Sequence, residues 1–221
     1  MDTYTTKIAA VMTAARYENT LARNTIETAL KKLDIPLTVS GGVYYGQCMQ
    51  IMLEQLAATE CDLVVTVDGD SMFTAEQLQR LVNIAHQEDR IDALAALQIR
   101  RGKMDMLGTS EGKRQLEWEG YPIKVTTAHF GLTVIKLDKL RSTPKPWFMS
   151  KPDKDGSWGT DKVDDDVFFW FQWKEAGNSI YIDPGTRLGH LEEMVTTYDE
   201  NLVPCHLYPK EWFQQYASNA N

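Results

Sequence analysis

The stretch DLVVTVDGDSMFT, residues 62 to 74, restricts the fold of this chain more than any other part of it. Leu63, Val64, Val65, Thr66 and Val67 form a short β-branched run without polar alternation. That is the pattern of a strand buried on both faces of a parallel sheet. The run ends in Asp68, Gly69 and Asp70. Residues i and i+2 face one side, so both carboxylates can address one spot, and Gly69 admits a close backbone approach. Carboxylates this close repel unless a cation or a shared proton lies between them. A hard divalent ion such as Mg²⁺ or Mn²⁺ suits such oxygen ligands. The alternative is a solvated turn leading into a helix. Thr74 and Gln77 have the spacing of a capping box for a helix over 75 to 87.

Around this stretch, strand and helix patterns alternate. Strands are predicted at 7–13, 36–40, 63–67 and 93–99, and helices at 19–33, 44–58 and 75–87. Such alternation implies a parallel sheet covered on both faces, with ligands at the carboxyl ends of the strands. Arg16 to Glu18 and Asp68 to Asp70 both fall at such ends and are expected to share one crevice. The second half is less regular. Residues 104–128 are short, mixed and turn-rich, and HFGLTVIKL at 129–137 reads as a strand. Residues 144–163 lack periodicity and read as a long loop, a kind of segment that is usually functional or disordered. A helix over 164–176 with Gly177 at its end, a strand over 180–182, a turn at 183–185 and a last helix over 209–216 complete the chain.

The 221 residues suffice for one sizeable α/β domain. No apolar run approaches the roughly 18 residues of a membrane span. The first residues lack the basic-then-apolar order of a signal peptide. Three widely spaced cysteines argue against a disulfide framework and for a reducing, cytoplasmic setting. A net charge of −8 argues against a broad electrostatic grip on nucleic acid. The local basic segment IRRGK at 99–103 is read as a solvated loop.

Two further stretches carry chemistry. In VDDDVFFWFQWKEAG, residues 163–177, three aspartates stand at a helix start, where the helix dipole favours anions. One would suffice as a cap, so Asp165 and Asp166 are candidates for a general base or polar ligands. The aromatic residues behind them are expected in the core. In RLGHLEE, residues 187–193, His190 follows a strand and a turn, which can return it to the ligand edge of the sheet. Neutral imidazole is an acceptable third ligand for Mn²⁺ beside two carboxylates. His86, His129 and His206 have no such setting, although His129 adjoins a strand that can approach an acceptor.

Read in order, these segments resemble a GT-A fold glycosyltransferase, most of all the family 2 type of bacteria and bacteriophages. The resemblance covers nearly the whole chain. It rests on TAARYE (13–18), YYGQCMQIMLEQLAATECDLVVTVDGD (44–70), AHFGLTVIKLDKL (128–140), PWF (146–148) and the run from DDD to GH (164–190). It implies a single Rossmann-like nucleotide-diphospho-sugar transferase domain with a mixed central sheet flanked by helices. Residues 1–103 would form the nucleotide-sugar-binding half, and 104–221 the acceptor half with a mobile loop at 150–163. Arg16, Glu18, Asp68, Gly69 and Asp70 would hold the donor, and Asp68, Asp70 and His190 the Mn²⁺ or Mg²⁺. Asp165 or Asp166 would deprotonate the acceptor. The chain departs from the family with Asp165 at the usual Glu position and with Gln47 where many members have Arg. Acceptors of a polysaccharide, small-metabolite or hydroxymethylated-DNA kind all remain open. So do two rivals: a haloacid-dehalogenase-like phosphatase, whose nucleophilic Asp normally follows the first strand, and a non-catalytic nucleotide or glycan binder. A nucleotidyltransferase of related fold would need a Gly- and Arg-rich loop after the first strand, which TAARYENT lacks.

Overall fold

The computed structural model describes residues 6–14, 18–99, 106–107, 109–110, 113–114 and 121–217. Arg16 and residues 100–103 of the basic segment lie outside the described residues. The strands are β1 (Ile8–Ala14), β2 (Leu37–Gly41), β3 (Leu63–Asp68), β4 (Ser71–Met72), β5 (Ala93–Ile99), β6 (Met106–Leu107), β7 (Thr109–Ser110), β8 (Lys113–Arg114), β9 (Ile123–Val125), β10 (Leu132–Lys136), β11 (Ile180–His190), β12 (Val195–Tyr198) and β13 (Pro204–Leu207). The helices are α1 (Thr20–Lys32), α2 (Tyr45–Ala57), α3 (Ala75–Gln87), α4 (Leu137–Ser142), α5 (Asp165–Glu175) and α6 (Pro209–Trp212), the last continued by a π-helical turn at Phe213–Ala217.

Among the described residues one sheet runs in the order β2-β1-β3-β10-β5-β11-β4, with β6 on β5 and β9 on β11. The mixed central sheet that the resemblance implies is present: β1, β2, β3 and β5 run in one direction, as the alternation predicts, and β10 lies antiparallel between β3 and β5. Alternation along the strands explains their unbroken apolarity. Leu63, Val65 and Val67 enter the core beneath α1 and α3, while Val64 faces the opposite core under α2 and α5. Leu94 and Ala96 of β5 divide from Ala93, Ala95 and Leu97 in the same way. Both faces are therefore sealed, and only the strand ends are left for chemistry. No helix among the described residues is long and apolar enough to cross a membrane.

The aromatic run of α5 is core, as expected, except for Phe171, which is 47% exposed. Phe169, Trp170 and Trp173 are at most 1% exposed, and Phe130 stacks on Trp170 at 5.1 Å. Each indole N–H that this packing buries finds a carbonyl, Ala128 for Trp170 and Ser179 for Trp173. The strand predicted at 129–137 is shorter, Leu132–Lys136, and Leu137 already begins α4. The turn predicted at 183–185 is also corrected. Asp183, Pro184 and Gly185 lie inside β11, which continues to His190.

Candidate functional site

The site grows from the carboxyl end of β3. Register places Thr13 of β1 beside Asp68. The chain then turns through Gly69 and Asp70 into β4, which pairs with the far end of β11. The Asp68–Asp70 turn thus carries the chain from the centre of the sheet to β11. Gly131, just before β10, anchors it: its carbonyl accepts from the Asp68 N–H at 3.3 Å and from Ser71 Oγ at 2.8 Å. A Cβ at Gly131 would displace Gln98 Oε1 and stand 3.0 Å from His129 Nδ1 and 3.1 Å from Leu188 Cδ2, so glycine suits the crowded position.

His190 arrives at the same place from the other side. It stands opposite Ser71 in the β4–β11 ladder, and its Nε2 lies 2.9 Å from Asp70 Oδ2. Backbone pairing continues past it, with Leu191 N–H donating to Asp70 O at 2.9 Å. Gly189 permits this approach, because a Cβ there would meet Met72 Cβ at 3.0 Å. A pocket of about 440 Å³ opens at this edge. Asp68, Gly69, Asp70 and Glu18 line it together with Gly42 and Tyr45. The volume falls in the range of small-molecule sites. The crevice expected between the β1 and β3 ends is therefore present at Glu18 and the aspartates. Glu18 also pairs with Arg23 at 3.5 Å.

Among the described residues, no three His, Cys, Asp or Glu side chains stand close enough as placed to cage a metal ion. Asp70 and His190 are brought together, while Asp68 lines the same pocket without joining them in a three-residue cluster. An imidazole and two carboxylates are donor types that suit a hard divalent ion, and Asp68 and Asp70 supply the carboxylates from the pocket wall.

The three aspartates at the start of α5 divide their work. Asp164 pairs with Lys162 at 2.8 Å. Asp165 reaches across to α2, where its Oδ2 accepts the Gly46 N–H at 2.8 Å. The N-cap Tyr44 offers α2 no side-chain bond, so Asp165 serves one of that helix's orphan amides. A Cβ on Gly46 would sit 2.5 Å from Asp165 Oδ2 and 2.9 Å from Phe148 Cβ, so glycine is required for the contact. Asp166 Oδ1 accepts the neighbouring Val167 N–H at 2.7 Å. Burial holds its carboxyl above the usual range against that bond, and the charges of Asp165 and Asp164 add to the effect.

Tyr45 connects the two acidic groups. It lines the pocket and packs edge-on against Phe148 at 6.3 Å. Burial, then the charges of Asp68, Asp166 and Asp165, hold its phenol well above the ordinary range. Sequence reasoning passed over Tyr45, Gly46 and Gly131. A glycine in the first turn of a helix, where better helix formers are the rule, was the available signal for Gly46. His129 is structural: its Nε2 bonds Ala96 O at 2.7 Å while Nδ1 accepts the Gly131 N–H at 2.9 Å. Burial lowers its pKa to about 4, so it stays neutral.

Solved structures share this architecture. A197 from STIV superposes with a TM-score of 0.64 at 14% identity, over 90% of this chain and 93% of that one. GalNAc-T7, solved with UDP, GalNAc and Mn²⁺, gives 0.50 at 12% identity over 86% of this chain. The mannosyltransferase PcManGT from Pyrobaculum calidifontis, in complex with GDP-Man and Mn²⁺, gives 0.50 at 12% over 84%. The chain spans 44% and 57% of the length of those two. At these identities the likeness defines the fold, the mixed α/β sheet of GT-A glycosyltransferases. No protein-family model and no curated protein matches the sequence.

Proposed function

We propose that the chain is a metal-dependent glycosyltransferase, a hexosyl- or pentosyltransferase that moves a sugar from a UDP- or GDP-sugar to an acceptor hydroxyl. The observation that carries this reading is that Asp68 and Asp70 line one pocket, with His190 docked on Asp70 and the half-buried Asp166 close to the pocket-lining Tyr45. The solved glycosyltransferases of the same fold, with their Mn²⁺ and nucleotide or nucleotide-sugar, support it.

Asp68, Asp70 and His190 would hold Mn²⁺ or Mg²⁺, which supplies Lewis-acid stabilisation of the charge that builds on the departing diphosphate. Glu18 and Gly69 would contact the donor, with Arg16 beside them in sequence. Asp166 takes the proton of the acceptor hydroxyl, and its raised affinity for protons suits that task. Asp165, the other candidate base, has one oxygen on the α2 amide of Gly46, as Asp166 has one on Val167 N–H; the raised proton affinity of Asp166 is what favours it for the role. A carboxylate base here goes with inversion at the anomeric carbon.

In this reading residues 1–103 form the donor half and 104–221 the acceptor half of one domain. Loop 150–163 closes over the donor. Its base is tied by an antiparallel bridge between Lys151 and Val163, and its tip exposes Trp158. The acceptor is a glycan, a metabolite or a hydroxymethylated base. Transfer assays with UDP- and GDP-sugars, Mn²⁺ and a panel of such acceptors test the proposal. Metal-dependent transfer abolished in Asp166→Asn supports it. An aspartyl-phosphate trapped on Asp68 would replace it with the phosphatase reading.

A further inference from the structure

β11 keeps regular parallel register with β5 from Ile180 opposite Ala93 to Asp183 opposite Ala96. The next pair is Arg187 opposite Leu97, four steps on β11 against one on β5. Residues 184–186 are therefore an inserted bulge. Beyond it the strand changes partner, so that Gly189 and His190 meet Met72 and Ser71 of β4. If the bulge were drawn out straight, Arg187 rather than His190 would stand opposite Ser71, and a cation would face Asp70. The position of His190 is thus decided at the bulge.

The bulge is held by one carboxylate. Asp183 is fully buried. Its Oδ1 accepts the Gly185 N–H at 3.1 Å and Arg80 Nη2 at 3.0 Å, and its Oδ2 accepts Thr186 Oγ1 at 2.7 Å and Arg80 Nε at 2.7 Å. The two-pronged guanidinium fixes the plane of the carboxylate as well as its place. Arg80 also lies flat over Gly185, where any Cβ would fall within 2.5 Å of Nη2. One turn earlier on α3, Gln77 grips the exit of the bulge by donating to Arg187 O at 2.8 Å. Both gripping residues stand on α3, which begins directly after β4. The segment that carries Asp70 therefore also holds the strand that delivers His190.

We propose that Arg80 and Asp183 are a positioning pair that sets the register at which His190 meets Asp70, and so tunes how tightly the donor site takes its metal. The last clause rests on the glycosyltransferase reading; the register itself does not. Outer groups that orient metal ligands typically change metal affinity by about 10- to 100-fold when removed.

The test uses the full chain with Arg80→Gln, Arg80→Lys, the milder Thr186→Val, and Leu78→Ala as a destabilised control in the α3 core. Amide exchange is read at Leu191, bonded to Asp70 O, and across 180–183, paired with β5. Arg80→Gln and Thr186→Val are expected to strip protection from Leu191 at least about tenfold beyond any loss at 180–183, with partial rescue by Arg80→Lys. Leu78→Ala should lower both segments together. Equal losses at the two segments in every variant would overturn the proposal, reducing the clamp to general stability. In parallel, Mn²⁺-dependent UDP or GDP binding should weaken about 10- to 100-fold in Arg80→Gln. If Leu191 responds as expected while the unaltered chain binds no nucleotide with Mn²⁺, the register role stands and the metal reading falls.

Discussion

Asp68 and Asp70 leave a strand, whereas Asp164, Asp165 and Asp166 enter a helix, and the two clusters use their charge in opposite ways. The first pair stays at the rim of an open pocket, fixed by backbone: the β3 ladder, the Gly131 carbonyl and the β4–β11 pairing. The second trio is distributed over separate partners, Lys162, the α2 amide of Gly46 and the Val167 N–H. In the first pair, backbone pairing sets the carboxylates at the pocket, with Asp70 docked on His190. In the trio, the carboxylates cap amides or pair with a lysine at the start of α5 and α2. Asp165 and Asp166 are both half-buried near the pocket-lining Tyr45, and Asp166 is the one whose carboxyl burial holds above the usual range.

The largest effect that would break this contrast comes from the first cluster. Asp70→Ala is expected to lower Mn²⁺-supported transfer on the order of 10³-fold, because several kcal/mol of charge stabilisation are lost. Initial rates at saturating acceptor measure it, and a loss under tenfold would remove Asp70 from the chemistry. Next, Asp166→Asn should reduce turnover by about 10²- to 10⁴-fold while leaving donor affinity intact. The sign of its linkage follows from its pKa. A carboxyl raised in the folded state weakens the fold as pH rises through the acid range and it ionises. Asp166→Asn should therefore melt at the same temperature as the unaltered chain at neutral pH, or higher. A marked fall in Tm would class Asp166 with the scaffold instead.

Asp165 sharpens the comparison. Asp165→Ala should lose about 1 kcal/mol of stability through the uncapped α2, by thermal or urea unfolding, with much of the activity retained. Asp165→Asn keeps an acceptor for Gly46 but removes a like charge, so the acid limb of the rate profile should move to lower pH. An unmoved limb would mean that Asp166 does not titrate in the rate. By the same unfolding measurement, Gly46→Ala should cost as much or more, roughly 1–3 kcal/mol, by forcing a methyl group against Asp165 and Phe148.

What could be read in the sequence was local. The Thr74–Gln77 capping box starts α3 where the spacing placed it, with Gln77 N–H on Thr74 Oγ1 at 3.3 Å and Thr74 N–H on Gln77 Oε1 at 2.8 Å. The β-branched run at 63–67 and the aromatic face of α5 were equally visible, since periodicity and residue type carry both. The direction of β10 was not, because an apolar strand has the same pattern whichever way it runs. Asp183-Pro184-Gly185 carries every mark of a turn, yet Arg80, 103 residues away in the chain, makes it a bulge. The Asp165–Gly46 bond spans 119 residues, so the aspartate run alone could not tell a cap for α2 from a catalytic pair. The D-x-D and the late histidine were legible as candidates, but the contact between Asp70 and His190 needed the folded register.

Calorimetric titration of UDP, GDP and their common sugar conjugates into the chain, with Mn²⁺ and with EDTA, tests the central claim most directly. The account predicts binding of one nucleotide family that requires Mn²⁺ and disappears in Asp70→Ala. Absence of binding under every condition, or binding indifferent to both EDTA and Asp70→Ala, would contradict it.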